Sequence, residues 1–304
     1  MAALPREPGV YRFRDARDRV LYIGRAADLR GRVASYWSEL RDRRHLRPMV
    51  RRIVRIEAVV CASRHEAAWL ERNLLETRLA PWNRTPGGQE TPVRIALDPR
   101  PASPGLRVIH DHDPVPEAVR VFGPYLGGEQ VRRAVAGLHR ALPLAWTGER
   151  LEGTARAMAA DRGVAAGDRE ALAAAVTAVL ERDPDAVARV RAELVAGRDR
   201  ATAAAAFELA GRIHAELGGL EWVTGAQRVT ALDGGDADVC AWADGVLVTF
   251  TVRHGRLVVW SQRPAATAAG VAAELAATPP AWREFAARNA DLAAALLAAA
   301  AGAR

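Results

Sequence analysis

Two short apolar segments near the start of the chain constrain its fold more than any other feature. Residues 10–14 alternate apolar and polar side chains, and residues 20–24 are again apolar and rich in β-forming types. The polar residues 15–18 lie between them. Alternation with a period of two beside a short polar turn predicts a β-hairpin. Each predicted strand carries one tyrosine, Tyr11 in the first and Tyr22 in the second.

A basic, amphipathic helix is expected directly after the hairpin. Asp28 is a suitable N-cap, because its carboxylate can accept hydrogen bonds from the free N–H groups of the first turn. The apolar positions that share one face of this helix are Leu29, Val33, Tyr36 and Trp37. Arg30 and Arg32 lie on the other side, so the helix is expected to present positive charge away from the core.

The segment up to residue 83 completes a small α/β domain. Residues 43–55 form a second basic stretch that is expected to be helical, and residues 56–62 form a third, buried strand. Ser63 and Glu66 have the spacing of a capping box, which predicts a further helix that ends before Pro81. The expected N-terminal fold is therefore a small, mainly antiparallel three-stranded sheet flanked by helices.

The rest of the chain is expected to hold mostly helices, with a late return to strands. Possible strands lie at residues 93–97 and 106–110, within a stretch rich in Pro and Gly, and a helix covers residues 128–141. Residues 150–217 have helical spacing of apolar side chains. Residues 228–264 have the pattern of a meander of about four strands, and alanine-rich helices follow.

Positive charge is concentrated at the start of the chain. The formal net charge is +7, and all 43 Lys and Arg positions are arginine. Residues 1–60 hold fifteen arginines and seven acidic residues, a local net charge of +8. Arginines that displace counterions from nucleic acid give affinity that does not depend on base sequence. A phosphate-binding surface and a solvated arginine face are both consistent with this pattern.

Cysteine usage and hydropathy argue against several classes of protein. Cys61 and Cys240 are far apart and lack Cys-x-x-Cys spacing, which argues against a disulfide framework, a zinc knuckle or an iron–sulfur cluster. Both are expected to be small buried hydrophobes. The sequence shows neither an apolar secretory leader nor an uncharged apolar run of about eighteen residues. A soluble cytoplasmic protein with no membrane partner is expected.

The residue types in the N-terminal segment suit phosphodiester chemistry. Hydrolysis of a phosphodiester needs a deprotonated water, stabilisation of charge on the phosphoryl oxygens and help for the departing alkoxide. The candidates that could supply these functions around one divalent metal ion are Tyr11, Tyr22, Arg32 and Glu71. A single carboxylate can hold Mg²⁺ or Mn²⁺ when waters and substrate oxygens complete an octahedral shell.

These residues also carry a resemblance to a known family. Gly9-Val10-Tyr11 with Tyr22-Ile23-Gly24 resembles the paired signature of the GIY-YIG nucleases, and the residues around it resemble the UvrC family. Residues 24–37 are similar to the UvrC segment in which a turn leads to a helix ending in Ser-Tyr-aromatic. Residues 66–75 resemble its metal-binding helix, and Pro81-Trp82-Asn83 resembles its Pro-x-aromatic-Asn loop.

The resemblance implies a complete set of site residues. The implied catalytic residues are Tyr11, Tyr22, Arg25, Arg32, Tyr36, Glu71 and Asn83. One of the first two tyrosines would act as general base or position the water, Arg32 would clamp the phosphate, and Glu71 would bind one Mg²⁺ or Mn²⁺. Arg25 stands where the family usually has lysine. A guanidinium can grip phosphate, but it cannot serve as a deprotonated amine.

Arginines in the basic segment are the predicted contacts to DNA, with damaged duplex as the expected partner. These residues are Arg12, Arg14, Arg30, Arg32, Arg43, Arg44 and Arg47. Two other patterns are interpreted as structural. His110-Asp111-His112-Asp113 is expected to be a solvated loop rather than a metal site, and Trp242 and Trp260 are expected to lie in a core rather than to stack on bases.

Beyond residue 98 the resemblance to UvrC is looser but keeps its order along the chain. Residues 122–125 and the helix after them resemble UvrC, and residues 201–220 resemble the helical hairpin through which UvrC meets UvrB. That helix could instead be only an amphipathic packing element, so a UvrB-like helicase partner is one of two alternatives. Residues 236–239 resemble the opening of an RNase H-like domain, which looks truncated here. The cysteine cluster of UvrC is missing, which implies no iron–sulfur cluster.

The resulting plan is similar to short, Cho-type UvrC homologues. The expected parts are a GIY-YIG endonuclease domain at 1–98, a linker with the Gly-Pro-Tyr helix segment at 99–149, a helical region at 150–225, and a small β meander with C-terminal helices at 226–304. The resemblance implies a metal-dependent endonuclease that nicks one strand near damaged DNA in nucleotide excision repair, on the 3′ side by analogy. Alternatives are a catalytically weakened DNA-damage binder or repair adaptor, and a nuclease dedicated to one kind of damage.

Overall fold

The computed structural model describes residues 2–38, 44–85, 90–110, 113–231 and 234–302. The chain divides into two compact units, one made of Met1–Gln89 with Ala226–Arg304 and the other of Glu90–Gly225. Helices and small antiparallel sheets occur in both, so the predicted mixed α/β class is confirmed. In the described part of the chain, none of the helices is both long enough and apolar enough to cross a lipid bilayer.

The first unit begins with the predicted hairpin and third strand. Strands β1 (Gly9–Arg14), β2 (Val20–Ala26) and β3 (Arg55–Val60) form an antiparallel sheet in the order β2-β1-β3. Gly9 allows β1 to approach β3 closely, because a Cβ at that position would lie 2.3 Å from the carbonyl oxygen of Val59.

Helices flank this sheet, as the sequence predicts, with one difference. Helix α1 (Leu29–Ser38) follows the hairpin, a 3₁₀ turn (Arg44–Leu46) leads into α2 (Arg47–Val50), and α3 (Arg64–Thr77) follows β3. The predicted helical stretch 43–55 is therefore much shorter, because Val54 already donates to the Arg14 carbonyl and Arg55 pairs with Arg14 in the sheet. The predicted cap of α3 is confirmed, since the Ser63 hydroxyl accepts from the Glu66 N–H.

The second unit combines a three-stranded sheet with a helical layer. Strands β4 (Val93–Leu97), β5 (Leu106–His110) and β6 (Arg120–Tyr125) are antiparallel in the order β5-β4-β6. The helices are α4 (Gly128–Ala141), α5 (Gly153–Asp161), α6 (Arg169–Leu180), α7 (Pro184–Ala203) and α8 (Phe207–Thr224), with 3₁₀ turns at Leu144–Trp146 and Ala166–Asp168. One apolar core joins this sheet to α4, α6, α7 and α8. Asp111 and His112, from the predicted solvated loop, lie outside the described residues.

The C-terminal part returns to the first unit. Strands β7 (Ala237–Ala243), β8 (Val246–Arg253) and β9 (Arg256–Pro264) form an antiparallel meander. After a 3₁₀ turn (Ala269–Val271) come α9 (Ala272–Ala276) and α10 (Pro280–Ala301). Of the four predicted strands, the first forms an isolated bridge between Thr230 and Arg256 within its described residues, and Leu232 lies outside them.

Packing within the first unit joins segments that are distant in sequence. Helix α10 contacts β3, and α3 contacts β9. Leu292 of α10 belongs to the same apolar core as Tyr11 and Phe13 of β1.

In the second unit, β4 pairs with β5 and β6, although the sequence-based division places β4 in the first domain. The four-part domain division stays a prediction.

Several burial predictions are confirmed. Cys61 and Cys240 are buried and unbridged, and Trp260 is almost completely buried. Trp242 is partly buried, and its indole N–H donates to the Ala265 carbonyl at 2.7 Å. Both tryptophans therefore pack inside the first unit.

Candidate active site

Three tyrosines form a compact cluster over the N-terminal sheet. Tyr11 lies on β1, Tyr22 on β2 and Tyr36 on α1. Their ring centroids are 6.0 to 6.2 Å apart in all three pairs, and the hydroxyls of Tyr11 and Tyr36 are hydrogen-bonded at 2.8 Å. Tyr11 and Tyr36 are buried, whereas Tyr22 is partly exposed. Tyr22 is therefore the member of the cluster that solvent can reach.

A glycine makes room for this cluster. In the hairpin register Gly24 lies opposite Tyr11. A Cβ at Gly24 would lie 2.6 Å from the Tyr11 hydroxyl oxygen and 2.7 Å from a ring carbon of Tyr22. Any other residue at this position would push the two rings away from each other, so the glycine and the tyrosines of the motif form one packing unit.

The tyrosine cluster keeps its protons. Burial raises the pKa of Tyr11 and of Tyr22 above the usual value for tyrosine, and the hydroxyl of Tyr36 raises both further. The positive charge of Arg32 opposes this shift without cancelling it. Near neutral pH both hydroxyls are therefore protonated and can donate hydrogen bonds.

Arg32 lies at the edge of the tyrosine cluster. Its guanidinium carbon is 5.6 Å from the centroid of the Tyr36 ring, and its side chain is half-buried. Burial acts to lower the pKa of Arg32, but attraction to the hydroxyls of Tyr11 and Tyr36 outweighs it and raises the pKa. A permanent cation next to three hydroxyl groups can receive a phosphate group.

Glu71 and Arg25 face each other beside this cluster. The backbone N–H of Arg25 donates to Oε1 of Glu71 at 3.2 Å, and Nε of Arg25 lies 3.4 Å from Oε2. The Glu71 side chain is 20% exposed and that of Arg25 is 34% exposed, so solvent reaches both. The charge of Glu71 contributes to the raised pKa of Tyr22. The carboxylate thus belongs to the same site as the tyrosines and does not point into the core.

Asn83 has a supporting position. Its Oδ1 accepts from the Ile23 N–H at 2.9 Å, and its Nδ2 donates to the Ile23 carbonyl at 2.8 Å. The next residue back, Trp82, donates its N–H to the Leu21 carbonyl at 3.1 Å. Because both ends of the Asn83 amide bond to one backbone position, this side chain holds the loop against β2 on either side of Tyr22, and its expected place in the lining of the site stays a prediction.

The structure contradicts the prediction that Arg12 contacts DNA. Arg12 is buried, forms an ion pair with Glu57, donates to the Trp260 carbonyl at 2.6 Å and stacks on the Trp260 ring at 3.9 Å. Burial lowers the pKa of Arg12 to about 10. Arg14 is also turned inward, since it donates to Glu57 at 2.8 Å and to the Asp18 carbonyl at 2.6 Å. Both arginines stabilise the sheet.

The remaining predicted DNA contacts have different positions. Arg30 donates to the carbonyls of Leu4 and Ala2, at 2.6 and 2.9 Å, and so ties the N-terminal segment to α1. Arg47 is exposed. Arg43 and the side chain of Arg44 lie outside the described part of the chain. Contact of Arg32 and Arg47 with DNA stays a prediction.

Among the buried polar residues of this unit that sequence reasoning missed are Glu57 and Asn73. Glu57 is buried and forms ion pairs with Arg12 and Arg14 of the hairpin. Asn73 is fully buried on α3, two residues from Glu71. A signal for each was present, because Glu57 interrupts an apolar strand and Asn73 interrupts the buried stripe of a helix. Buried polar groups of this kind need specific partners.

Comparison with known proteins agrees with this geometry. Residues 7–83 match the family described as the UvrC-like GIY-YIG domain. UvrABC system protein C of Syntrophotalea carbinolica is 28% identical over 274 residues, covering 84% of this chain and 44% of that protein. The protein of the same name from Mycobacterium sp. strain KMS is 31% identical over 274 residues, covering 84% and 40%.

A further relative has a different name. A Mycobacterium tuberculosis protein whose name describes a bifunctional exonuclease/endonuclease is 32% identical over 283 residues, covering 86% of this chain and 42% of that protein. The chain thus spans about two fifths of the length of these relatives. The expected resemblance is confirmed: residues 7–83 form a UvrC-like GIY-YIG domain, and over most of its length the chain is related to UvrABC system protein C.

Proposed function

We propose that this chain is a metal-dependent DNA endonuclease that nicks one strand of a damaged or distorted duplex, as in nucleotide excision repair. One observation carries the proposal. The guanidinium of Arg32 lies beside the tyrosine cluster, and the partly exposed carboxylate of Glu71 acts on Tyr22 of the same cluster, inside a domain of the UvrC-like GIY-YIG family. The names of the relatives support the same function.

The chemistry of Glu71 fits one hard divalent cation. Among the described residues no three His, Cys, Asp or Glu side chains gather into a ready ligand set, so a cation at Glu71 would take its other ligands from waters and phosphate oxygens. Mg²⁺ and Mn²⁺ accept such a shell around a single carboxylate. When bound, such a cation supplies a more acidic water and neutralises phosphoryl charge.

The protein side chains supply the remaining functions. Arg32 holds a non-bridging phosphate oxygen, because its charge is permanent and its guanidinium lies beside the cluster. Tyr22 is the partly exposed tyrosine, so we assign to it the contact with the attacking water. Tyr11 and Tyr36 hold each other through their hydroxyl hydrogen bond and keep the Tyr22 ring in place. Arg25 adds a second cation for the phosphate beside Glu71.

A nicking assay tests this function. Supercoiled plasmid and a lesion-bearing duplex are incubated with Mg²⁺ or Mn²⁺ and either wild type or Glu71→Gln. Wild type is expected to nick, and the variant to be slower by about 10³-fold, the size expected for loss of a main catalytic group. Glu181→Gln, a carboxylate paired with Arg120 in the second unit, is the matched control and should match wild type. Equal cleavage by wild type and Glu71→Gln would refute the assignment.

One observation favours a second candidate, a DNA-damage binder or repair adaptor with weakened chemistry. Arg25 already pairs with the carboxylate that would hold the metal. Salt-dependent DNA binding without metal-stimulated nicking would select this function. Cleavage mapping across a panel of adducts would distinguish a general nuclease from one dedicated to a single kind of damage and would show the side of incision.

A UvrB-like partner is part of the same proposal. Helix α8 begins at Phe207, whose side chain is 70% exposed, and an exposed aromatic side chain is a typical interface anchor. Surface plasmon resonance with purified UvrB should show binding by wild type and a loss of about tenfold or more for Phe207→Ala. Leu79→Ala, which truncates an exposed apolar residue elsewhere, is the control. Unchanged binding of Phe207→Ala would remove this helix from the interface.

A further inference from the structure

The face of α3 opposite Glu71 is tied to the C-terminal part of the chain. Asn73 is fully buried, and its Nδ2 donates to the Val229 carbonyl at 3.1 Å and to the Thr230 hydroxyl at 3.0 Å. Its Oδ1 accepts from Nε and Nη2 of Arg256 at 3.1 and 2.8 Å. Every hydrogen bond of this side chain therefore reaches a residue more than one hundred and fifty positions away.

The same face carries a second buried polar side chain with a distant partner. Oε1 of Glu66, which is fully buried, accepts from the Arg228 N–H at 2.7 Å, and Oε2 accepts from the Ala62 N–H at 2.6 Å. The N-cap Ser63 donates its hydroxyl to the Ala226 carbonyl at 2.7 Å. The start and the middle of α3 are thus both bound to residues 226–230.

Helical geometry separates these contacts from the site. Glu66 and Asn73 are seven residues apart and share one face, whereas Glu71 lies about 200° around the helix from Asn73. Asn73 is only two residues from Glu71. Anything that rotates or shifts α3 at Asn73 therefore moves the Glu71 carboxylate relative to Arg25 and Tyr22.

The strand that leads into α3 is held from the same region. Asn289 of α10 is buried, its Oδ1 accepts from the Val60 N–H at 2.7 Å, and its Nδ2 donates to the Val60 carbonyl at 3.2 Å. Val60 is the last residue of β3, three residues before Ser63. A buried polar group that loses its partner is costly, so these contacts select one position for α3.

We propose that residues 226–302 act as a brace for the N-terminal domain and that Asn73 is the positioning residue through which the brace places Glu71. The inference rests on the proposed metal-binding function of Glu71. It assigns to this C-terminal region a role in positioning the candidate nuclease site of the N-terminal domain. Asn73 and Arg256 touch neither substrate nor cation and act only through α3.

The test compares variants of the whole 304-residue chain, each of which loses hydrogen bonds of one polar side chain. Asn73→Ala removes the amide, and Arg256→Met removes its donors while keeping most of the aliphatic stem. Thr147→Val is the control, because Thr147 is a buried hydroxyl of the second unit that donates to the Leu144 carbonyl at 2.7 Å. All three variants should lower Tm by a few degrees.

Two readouts then separate positioning from general stability. By calorimetry with Mn²⁺ alone, well below every Tm, Asn73→Ala and Arg256→Met should bind the ion about tenfold more weakly, and Thr147→Val within about twofold of wild type. By hydrogen–deuterium exchange, backbone amides of α3 should exchange faster only in the first two variants. Arg256→Met keeps the test valid if Asn73→Ala fails to fold, because Arg256 is partly exposed.

The outcomes distinguish a failure of the brace from a failure of the proposed metal binding by Glu71. Unchanged α3 exchange and Mn²⁺ affinity in folded Asn73→Ala or Arg256→Met would overturn the brace. An equal loss of affinity in Thr147→Val would overturn it too, since general destabilisation would then explain the effect. If Glu71→Gln binds Mn²⁺ like wild type, the proposed metal function fails instead, while the exchange data still decide whether the brace holds α3.

Discussion

Glu66 and Glu71 lie on different faces of α3, and although each accepts from the backbone N–H of an arginine, they differ in their access to solvent. Glu66 is completely buried, and both of its oxygens accept from backbone N–H groups. Glu71 is partly exposed and faces the backbone and side chain of Arg25. The first carboxylate has its hydrogen-bonding capacity committed to the fold. The second can exchange its partner for a cation or a substrate, so access to solvent separates the functional acid from the structural one.

The largest expected effect on stability comes from the buried face. Glu66→Ala should lower the free energy of unfolding by about 3 kcal/mol, because two backbone N–H groups lose their buried acceptor. Glu71→Ala should stay within about 0.5 kcal/mol of wild type, as expected for a partly solvated pair. Urea unfolding followed by circular dichroism measures both. An equal decrease in the free energy of unfolding for the two variants would show that Glu66 and Glu71 contribute equally to stability and would contradict this distinction.

A smaller effect is expected for metal affinity at the exposed face. Arg25→Ala removes the cation that competes for the Glu71 carboxylate, so Mn²⁺ should bind about three- to fivefold more tightly, a modest gain because solvent screens this pair. Arg19→Ala, which removes an exposed arginine paired with Asp15, is the control. Calorimetry decides the matter, and unchanged affinity in Arg25→Ala would show that the guanidinium does not oppose the ion.

The smallest effect concerns the tyrosines beside Glu71 at high pH. Burial, followed by the neighbouring hydroxyls, raises the pKa of Tyr11 and Tyr22 above 10. The contribution of these two tyrosines to the free energy of unfolding is fully present below about pH 10. It falls as the pH rises further, because the unfolded chain releases these protons first. Ultraviolet titration of tyrosinate should therefore lag in the folded protein relative to protein in urea. Coincident curves would contradict the buried cluster.

Local patterns in the sequence were sufficient for most of the secondary structure. The hairpin, the cap at Ser63 and the strands at residues 93–97 and 106–110 are each indicated by a pattern of neighbouring residues, and the structure contains all of them. The helix expected at residues 43–55 was too long, because pairing of β3 with β1 takes the residues from Arg55 onward. That competition is between distant segments and leaves no local signal.

The candidate site was predictable as a set of residues but not as a set of contacts. Tyr11 and Arg32 both lie beside Tyr36, and the charge of Glu71 acts on Tyr22, while the catalytic roles of these residues stay predictions. The inward position of Arg12 was not foreseen, because its partner Glu57 lies on another strand. The supporting role of Asn83 was likewise hidden, since an amide can bind a ligand or a backbone equally well. The attachment of the C-terminal part to α3 depends wholly on tertiary packing.

The two asparagines at the sides of the N-terminal sheet have a consequence for self-association. Asn83 occupies the backbone N–H and carbonyl of Ile23 on β2, and Asn289 does the same for Val60 on β3. These are the two outer strands of the sheet, and an open outer strand is a template on which another chain can add a strand. Each amide makes the two hydrogen bonds that a residue of a neighbouring strand would make. Loss of either amide would therefore expose two backbone groups of an outer strand and favour aggregation.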